Sequence, residues 1–419
     1  MRKMKNSKSE GTLIKRDFDS VLILKKGEKK FEYWVSQEKL IPPWITNWYQ
    51  LKDYEYLILK RNVLKKIVKR CIQKAGNIRK LTKVIKIGAP LIYRVLKGKN
   101  GISVKNLRKL LYYLQIPYDE INDKIVEIKK GKRAFIKNPK FPINLLLPEA
   151  ATIIGFLVSD GGINLDKKAR MTKRVTYSTQ NLEDINTFIK NIYKIFGKVL
   201  IQREERRNSL RLRIGTSIVA EAFLKVGCIL GKKVIKNKGV PWIIKEASEE
   251  MKINYLRAVF SDEGSVGGPD PYVILSRSTI VNSLNKTELK LLNEFVEPKM
   301  RFRFFPDGRS VREISIGELR KILNSLSNLS AKRLLQKIES NIPQLLLEES
   351  KLLCGFGIEN TIYPTTLYKK SKNQYALKSS LMVGRKESLL QFYKKVGFQS
   401  FEKQEKLRKY LKNWGWLLN

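Results

Sequence analysis

Two acids, Asp160 and Glu263, end two apolar stretches, and each is followed at once by glycine: Ile153 to Gly161 reads IIGFLVSDG and Leu256 to Gly264 reads LRAVFSDEG. Both stretches have the length and composition of buried helices, and glycine is the expected helix stop. A carboxylate in the last turn faces the negative end of the helix dipole, so two such acids at matched positions call for a compensating cation. Gly155 and Ser159, with Ala258 and Asp262 at the equivalent places, would let the helices pack face to face and set Asp160 beside Glu263. A carboxylate site without His or Cys suits a hard divalent ion, Mg²⁺ above all or Mn²⁺.

A second pair comes after the acids. The stretch FLKVGCILGKK (Phe223 to Lys233) matches FYKKVGFQSFEK (Phe392 to Lys403), which sets Lys233 opposite Lys403, each six residues after its glycine. IYKIFG (Ile192 to Gly197) likewise matches LLCGFG (Leu352 to Gly357). Both halves therefore run acid, FG, VG, Lys, which predicts a duplicated, pseudo-twofold unit. The spacing from acid to FG glycine is 37 residues in the first half and 94 in the second, so the second carries an insertion near 288–344.

The elements around these groups read as strands with one charged face: Arg170 to Ser178 and Ser209 to Ile214 in the first half, Tyr272 to Arg277 and Gln374 to Lys378 in the second. Arg174, Gln180, Arg211, Arg213 and Arg277 are the residues expected to reach a nucleic-acid groove. The bland alternative is an ordinary solvated strand face.

Composition narrows the chemistry. The 419 residues hold 84 Lys+Arg against 39 Asp+Glu, a net charge of +45, and no histidine. That excludes His-dependent hydrolases and His-containing zinc sites. Cys71, Cys228 and Cys354 are too far apart for a CxxC zinc site or a disulfide framework, which points to a reducing compartment. With no apolar run long enough to span a bilayer and no signal-like start, the expectation is a cytoplasmic, nucleoid-associated protein. A polyanionic partner is expected from the charge, although lysine-favouring codon bias alone would raise it.

The distribution of charge is more specific than its total. Arg61 to Leu110 contains sixteen Lys/Arg and no acid. Its apolar spacing predicts helices over 63–74, 78–85, 90–96 and from Ser103 onward, in a helix-turn-helix order. The segment resembles repressor-type helix-turn-helix domains. That resemblance makes 89–96 the recognition helix, with Tyr93, Arg94 and Lys97 toward the groove and Lys86 and Lys99 on phosphates. The alternative is a small basic bundle. The expected divisions are 1–60 of unknown role, 61–118 an all-α helix-turn-helix domain, 119–147 a basic linker, 148–250 the first repeat and 251–419 the second.

The two acid-ended stretches also resemble the paired motifs of single-chain LAGLIDADG homing endonucleases, and the FG, VG, Lys order is similar to the archaeal branch of that family. The resemblance covers about residues 141 to 415. It implies an α+β fold of two pseudo-symmetric αββαββα repeats whose motif helices form the central interface. It also implies site-specific, metal-dependent cleavage of double-stranded DNA by a monomer, with Asp160 and Glu263 binding metal and Lys233 and Lys403 assisting cleavage. Gln180 or Asn181, and Asn285, stand where polar groups hold the attacking water. Phosphodiester hydrolysis by a metal-bound water needs no histidine. The alternatives are a DNA-binding transcriptional regulator that kept the fold without cleavage, and an intron RNA maturase, for which RNA would be the partner.

Overall fold

The structure, a computed structural model, describes residues 3–6, 9–15, 20–26, 29–36, 39–130, 133–166, 172–206, 209–268, 270–281, 284–305, 310–371 and 373–417. It is a mixed fold of helices and antiparallel sheets.

The chain opens with five strands, β1 (Lys3–Asn6), β2 (Ser9–Lys15), β3 (Ser20–Lys26), β4 (Lys29–Ser36) and β5 (Lys39–Ile41), paired antiparallel in chain order. Short β6 (Ile45–Thr46) and β7 (Tyr56–Leu59) lead into four helices: α1 (Val63–Ala75), α2 (Ile78–Ile85), α3 (Ala89–Leu96) and α4 (Val104–Leu114). Leu64, Ile67, Val68 and Cys71 bury one face of α1, which stops at Gly76. The Asn77 side chain caps α2 by accepting from Lys80 N at 2.8 Å, and Ser103 caps α4 by accepting from Asn106 N at 3.4 Å. Such caps satisfy first-turn donors that the helix itself leaves open.

Two expectations fail here. The helical unit is not all-α, because β8 (Gly101–Ser103), between α3 and α4, pairs with β7. Nor is 119–147 a linker: β9 (Ile125–Lys130) pairs with β7 and with β10 (Arg133–Lys137), giving a sheet of order β14-β10-β9-β7-β8 in which β14 is Lys198–Val199. Ile125, Ile128 and Ile136 are buried in it, and the surrounding lysines hide their spacing from a helical-period reading. β11 (Ile143–Asn144) returns to pair with β6. Trp44 packs on Trp242 with ring centroids 6.2 Å apart, so the amino-terminal unit shares its core with the first repeat.

From Pro148 the chain runs α5 (Pro148–Val158), β12 (Gly162–Asp166), β13 (Thr172–Thr179), α6 (Leu182–Phe196), β15 (Ile201–Arg206), β16 (Ser209–Ile214) and α7 (Ser217–Lys225), with sheet order β12-β13-β16-β15. Short α8 (Lys233–Lys236) and α9 (Trp242–Lys245) lead to α10 (Glu249–Glu263), β17 (Gly264–Gly267) and β18 (Tyr272–Ile280). Then come α11 (Lys286–Leu291), β19 (Arg301–Phe304), β20 (Ser310–Ser315), α12 (Ile316–Ser325) and α13 (Leu329–Glu339). The chain closes with α14 (Gln344–Gly355), β21 (Thr361–Ser371), β22 (Gln374–Val383), α15 (Lys386–Gln391) and α16 (Phe401–Asn413). The second sheet has order β17-β18-β22-β21-β20-β19. Its first four strands repeat the order of the first sheet. β20 and β19 extend its edge, and α11 to α13 cover that extension with a separate apolar cluster around Leu319, Leu334 and Tyr375.

The halves meet along α5 and α10. Every residue from Ala150 to Val158 is buried, as befits a helix apolar all round. Gly155 makes the close approach possible: a Cβ there would lie 2.7 Å from Ala258 Cβ and 2.7 Å from the Tyr255 carbonyl.

Candidate active site

The C-terminal ends of α5 and α10 converge, as the packing of Gly155 on Ala258 dictates. Asp160 stands just past the end of α5 and Glu263 is the last residue of α10. The bridge between the two halves is made by Asp262, one of whose carboxylate oxygens accepts from Asp160 N at 2.8 Å while the other accepts from the Tyr177 hydroxyl at 3.0 Å. Sequence reasoning gives Asp262 no functional role, although its place opposite Ser159 in the matched motifs marks it.

The two lysines occupy matching places. Lys233, at the start of α8, donates through Nζ to the carbonyls of Ser159, of Gly161 at 2.9 Å and of Leu157 at 3.3 Å. Lys403, in the first turn of α16, donates to the carbonyls of Ser261 at 2.5 Å and Gly264 at 2.7 Å. Each ammonium sits on the negative end of a motif helix. Part of the compensating cation that the acids called for is therefore supplied by the chain itself.

The site is crowded with charge. Burial and the nearby Glu263 push the Asp160 carboxyl up to about 6, even though the residue has an open side toward solvent. Burial and Asp160 push Asp262 up to about 8. Burial lowers Lys233 and Lys403 from their ordinary values, against the pull of Glu263, Asp160 and Asp262. A further buried acid, Asp184 in α6, is pushed up to about 6 by burial. Ionising these carboxyls together is therefore costly, and a divalent cation would offset that cost. Asp160 and Glu263 fit that role by donor chemistry. Among the described residues there is no cluster of three or more Cys, Asp or Glu side chains in metal-binding geometry.

Arg277 is a correction. The alternating strand reading puts it on a charged outer face, but in β18 it is Val273, Leu275, Arg277 and Thr279 that turn toward the helices. The Arg277 side chain is 6% exposed. It donates to Glu263 and, at 2.8 and 3.2 Å, to both oxygens of fully buried Glu349 in α14. Glu349 in turn accepts from the Tyr255 hydroxyl at 3.1 Å. Arg277 cannot reach a groove. Asn181 and Asn285 each cap a helix, their Oδ1 accepting from Glu183 N and Glu288 N at 2.8 Å. Gln180 lies just beyond β13 and is exposed.

Arg174, Arg211 and Arg213 do share one face. In β13 and β16 Val175, Tyr177, Leu212 and Ile214 turn inward, while Arg174, Thr176, Ser178, Arg211 and Arg213 turn outward. Across the ladder Arg213 faces Thr176 and Gln202, and Arg211 faces Ser178 and Glu204. The outer face of the second sheet carries Ser276, Ser278 and Lys378. On the helical unit, Ile92 and Val95 bury α3, which leaves Tyr93, 52% exposed, and Arg94 outward; Lys86, Lys97 and Lys99 are exposed beside them.

No family model matches the chain, and no curated protein matches it. Among solved structures it is similar to the crystal structure of I-DmoI in complex with DNA and Ca, with 14% identity over 60% of this chain and 90% of that one and a TM-score of 0.29. It is similar to mesophilic variants of the homing endonuclease I-DmoI at 13% identity, 60% and 91% coverage and a TM-score of 0.31. Full-length DUF199/WhiA from Thermatoga maritima matches at 13% identity, over 64% of this chain and 61% of that one, with a TM-score of 0.29. These likenesses are distant, and the properties of the site rest on its own geometry. Among the described residues no helix is long and apolar enough to cross a membrane.

Proposed function

We propose that this chain binds double-stranded DNA and hydrolyses its phosphodiester bonds with a divalent metal, Mg²⁺ or Mn²⁺, as an endonuclease of the LAGLIDADG homing type. The observation that carries the reading is the meeting of Asp160, Asp262 and Glu263 at the joined ends of two matched helices. Flanking outer sheet faces bear Arg174, Arg211 and Arg213 on one side and Lys378 on the other. Asp160 and Glu263 would hold the metal, which supplies Lewis acidity and an activated water. Lys233 and Lys403, anchored on the helix-end carbonyls, stabilise charge developing on the phosphate. Two sheets of like strand order suit a long, roughly twofold duplex site, and α2 and α3 would act as a helix-turn-helix reader whose Tyr93, Arg94 and Lys97 add a separate contact. Selection of bound duplexes from a randomised library, followed by incubation with Mg²⁺, tests this: cleavage of the selected DNA is expected, and stable binding without cleavage contradicts it.

A second reading is a DNA-binding regulator that does not cleave. The ion pair between Arg277 and Glu263 favours it, because an acid committed to a guanidinium is a poorer metal ligand.

A further inference from the structure

The two motif acids are not equivalent, and the difference lies in what stands behind them. Gly264 pairs with Leu275, and in the first half Gly162 pairs with Thr176, so the strand registers set Arg277 at the place that Thr179 holds in β13. Eight residues before each FG glycine stand Glu349 in the second half and Ile189 in the first. The second half therefore has a buried Arg–Glu pair where the first has uncharged Thr179 and, in α6, uncharged Phe188 and Ile189. Arg277 spans the junction: it donates to Glu263, to Glu349 and, at 3.5 Å, to Val158 O and Ser159 Oγ at the end of α5. Asp160 has no such cation hydrogen-bonded to its carboxylate among the described residues.

We propose that Arg277 is a built-in cation that withholds Glu263 from metal, so that the chain loads one divalent ion, on Asp160, and breaks one DNA strand much faster than the other. This rests on the hydrolytic reading above and narrows its metal site from Asp160 and Glu263 together to Asp160 alone. A divalent ion at Glu263 would have to sit against the guanidinium, and like charges at contact distance repel strongly where water is scarce. Arg277 does not swing aside, because Glu349 would be left as an uncompensated buried charge. The favoured step is ordinary hydrolysis at the strand served by Asp160. Water oxygen bonds to phosphorus, the bond from phosphorus to a bridging oxygen breaks, and that oxygen leaves with a proton, giving a nick with one phosphate and one hydroxyl end.

The test counts Mn²⁺ by electron paramagnetic resonance on the full chain bound to library-selected duplex, and follows a supercoiled plasmid carrying that duplex. The expected count is one ion, lost in Asp160→Asn and retained in Glu263→Gln. Open circle should accumulate ahead of linear product, with the second strand slower by about ten-fold or more. The double variant Arg277→Met, Glu349→Gln removes both buried charges together and should gain a second ion; where it does not fold, the wild-type count and the Glu263→Gln count decide alone. Two ions on the wild type, or loss of the single ion in Glu263→Gln, overturns the proposal while leaving the hydrolytic reading intact. DNA binding with no Mn²⁺ at all overturns both.

Discussion

Lys233 and Lys403, 170 positions apart in the numbering, make the same bond: each ammonium donates to the carbonyl of the glycine that follows its motif acid, Gly161 in one half and Gly264 in the other. Both also reach back to a carbonyl of the helix end, Ser159 or Ser261. A lysine fixed in this way holds positive charge within the acid cluster without neutralising any one carboxylate.

Replacing either lysine by methionine keeps the chain length and removes the charge. Each substitution orphans two or three buried carbonyls, and one such group costs about 1–3 kcal/mol. Urea unfolding should register a loss of about 2–3 kcal/mol for each variant. Cleavage should fall by about 10²-fold while DNA affinity changes little, because the lysines act where charge develops. Equal cleavage by wild type and both variants would assign them a purely structural role.

The acid cluster sets a pH dependence. Asp160 and Asp262 are pushed up to about 6 and about 8, from an ordinary value of 3.8. The folded chain then holds these protons more tightly than the unfolded chain. The stability they contribute is complete below about pH 4 and is lost as pH rises through 6 to 8. Asp262→Asn should flatten that decline and raise the melting temperature at pH 8 by roughly 2–4 °C for each kcal/mol recovered. Millimolar Mg²⁺ should do the same for the wild type and not for Asp160→Asn, as followed by calorimetry.

Gly155 is the contact that brings the acids together. A methyl group there meets Ala258 and the Tyr255 carbonyl at 2.7 Å. Gly155→Ala gains helix propensity of about 1 kcal/mol, but overpacking a closed interface costs about 1–3 kcal/mol. We expect net destabilisation in urea, and weaker cleavage than the stability loss accounts for, because the acids move apart. Unchanged stability would mean that the interface yields easily.

The outer faces give a separable prediction. Arg174→Ala, Arg211→Ala and Arg213→Ala should each weaken DNA binding and lower the salt slope by about 1 if the residue meets a phosphate. Tyr93→Ala, Arg94→Ala and Lys97→Ala probe the helical unit better than deletion does, since β10 pairs with β14 and removing the unit would expose that edge. Fluorescence anisotropy against salt concentration measures both sets. An unchanged affinity across the salt range removes the residue from the interface.

Much of this is legible in the chain. The helices from Val63 to Leu114 show because buried residues recur at helical spacing between Gly and Asn stops. The acids stand out because glycine ends two apolar runs. Arg277 is misplaced by a sequence reading because its neighbours Ser276 and Ser278 look like a polar strand, yet its parity with Val273 and Leu275 already points inward. Glu349, 72 residues beyond Arg277, carries no local signal at all; only the fold joins them. The strands β9 and β10 are hidden by lysines that mask a short apolar alternation.

The central claim is that Asp160 holds the metal that cleaves DNA. Its most direct test compares wild type and Asp160→Asn on the same library-selected duplex, with Mg²⁺ for cleavage and Ca²⁺ for binding. We predict that Asp160→Asn loses cleavage by about 10³-fold or more, with affinity held within about three-fold. Cleavage that survives in Asp160→Asn would contradict the account.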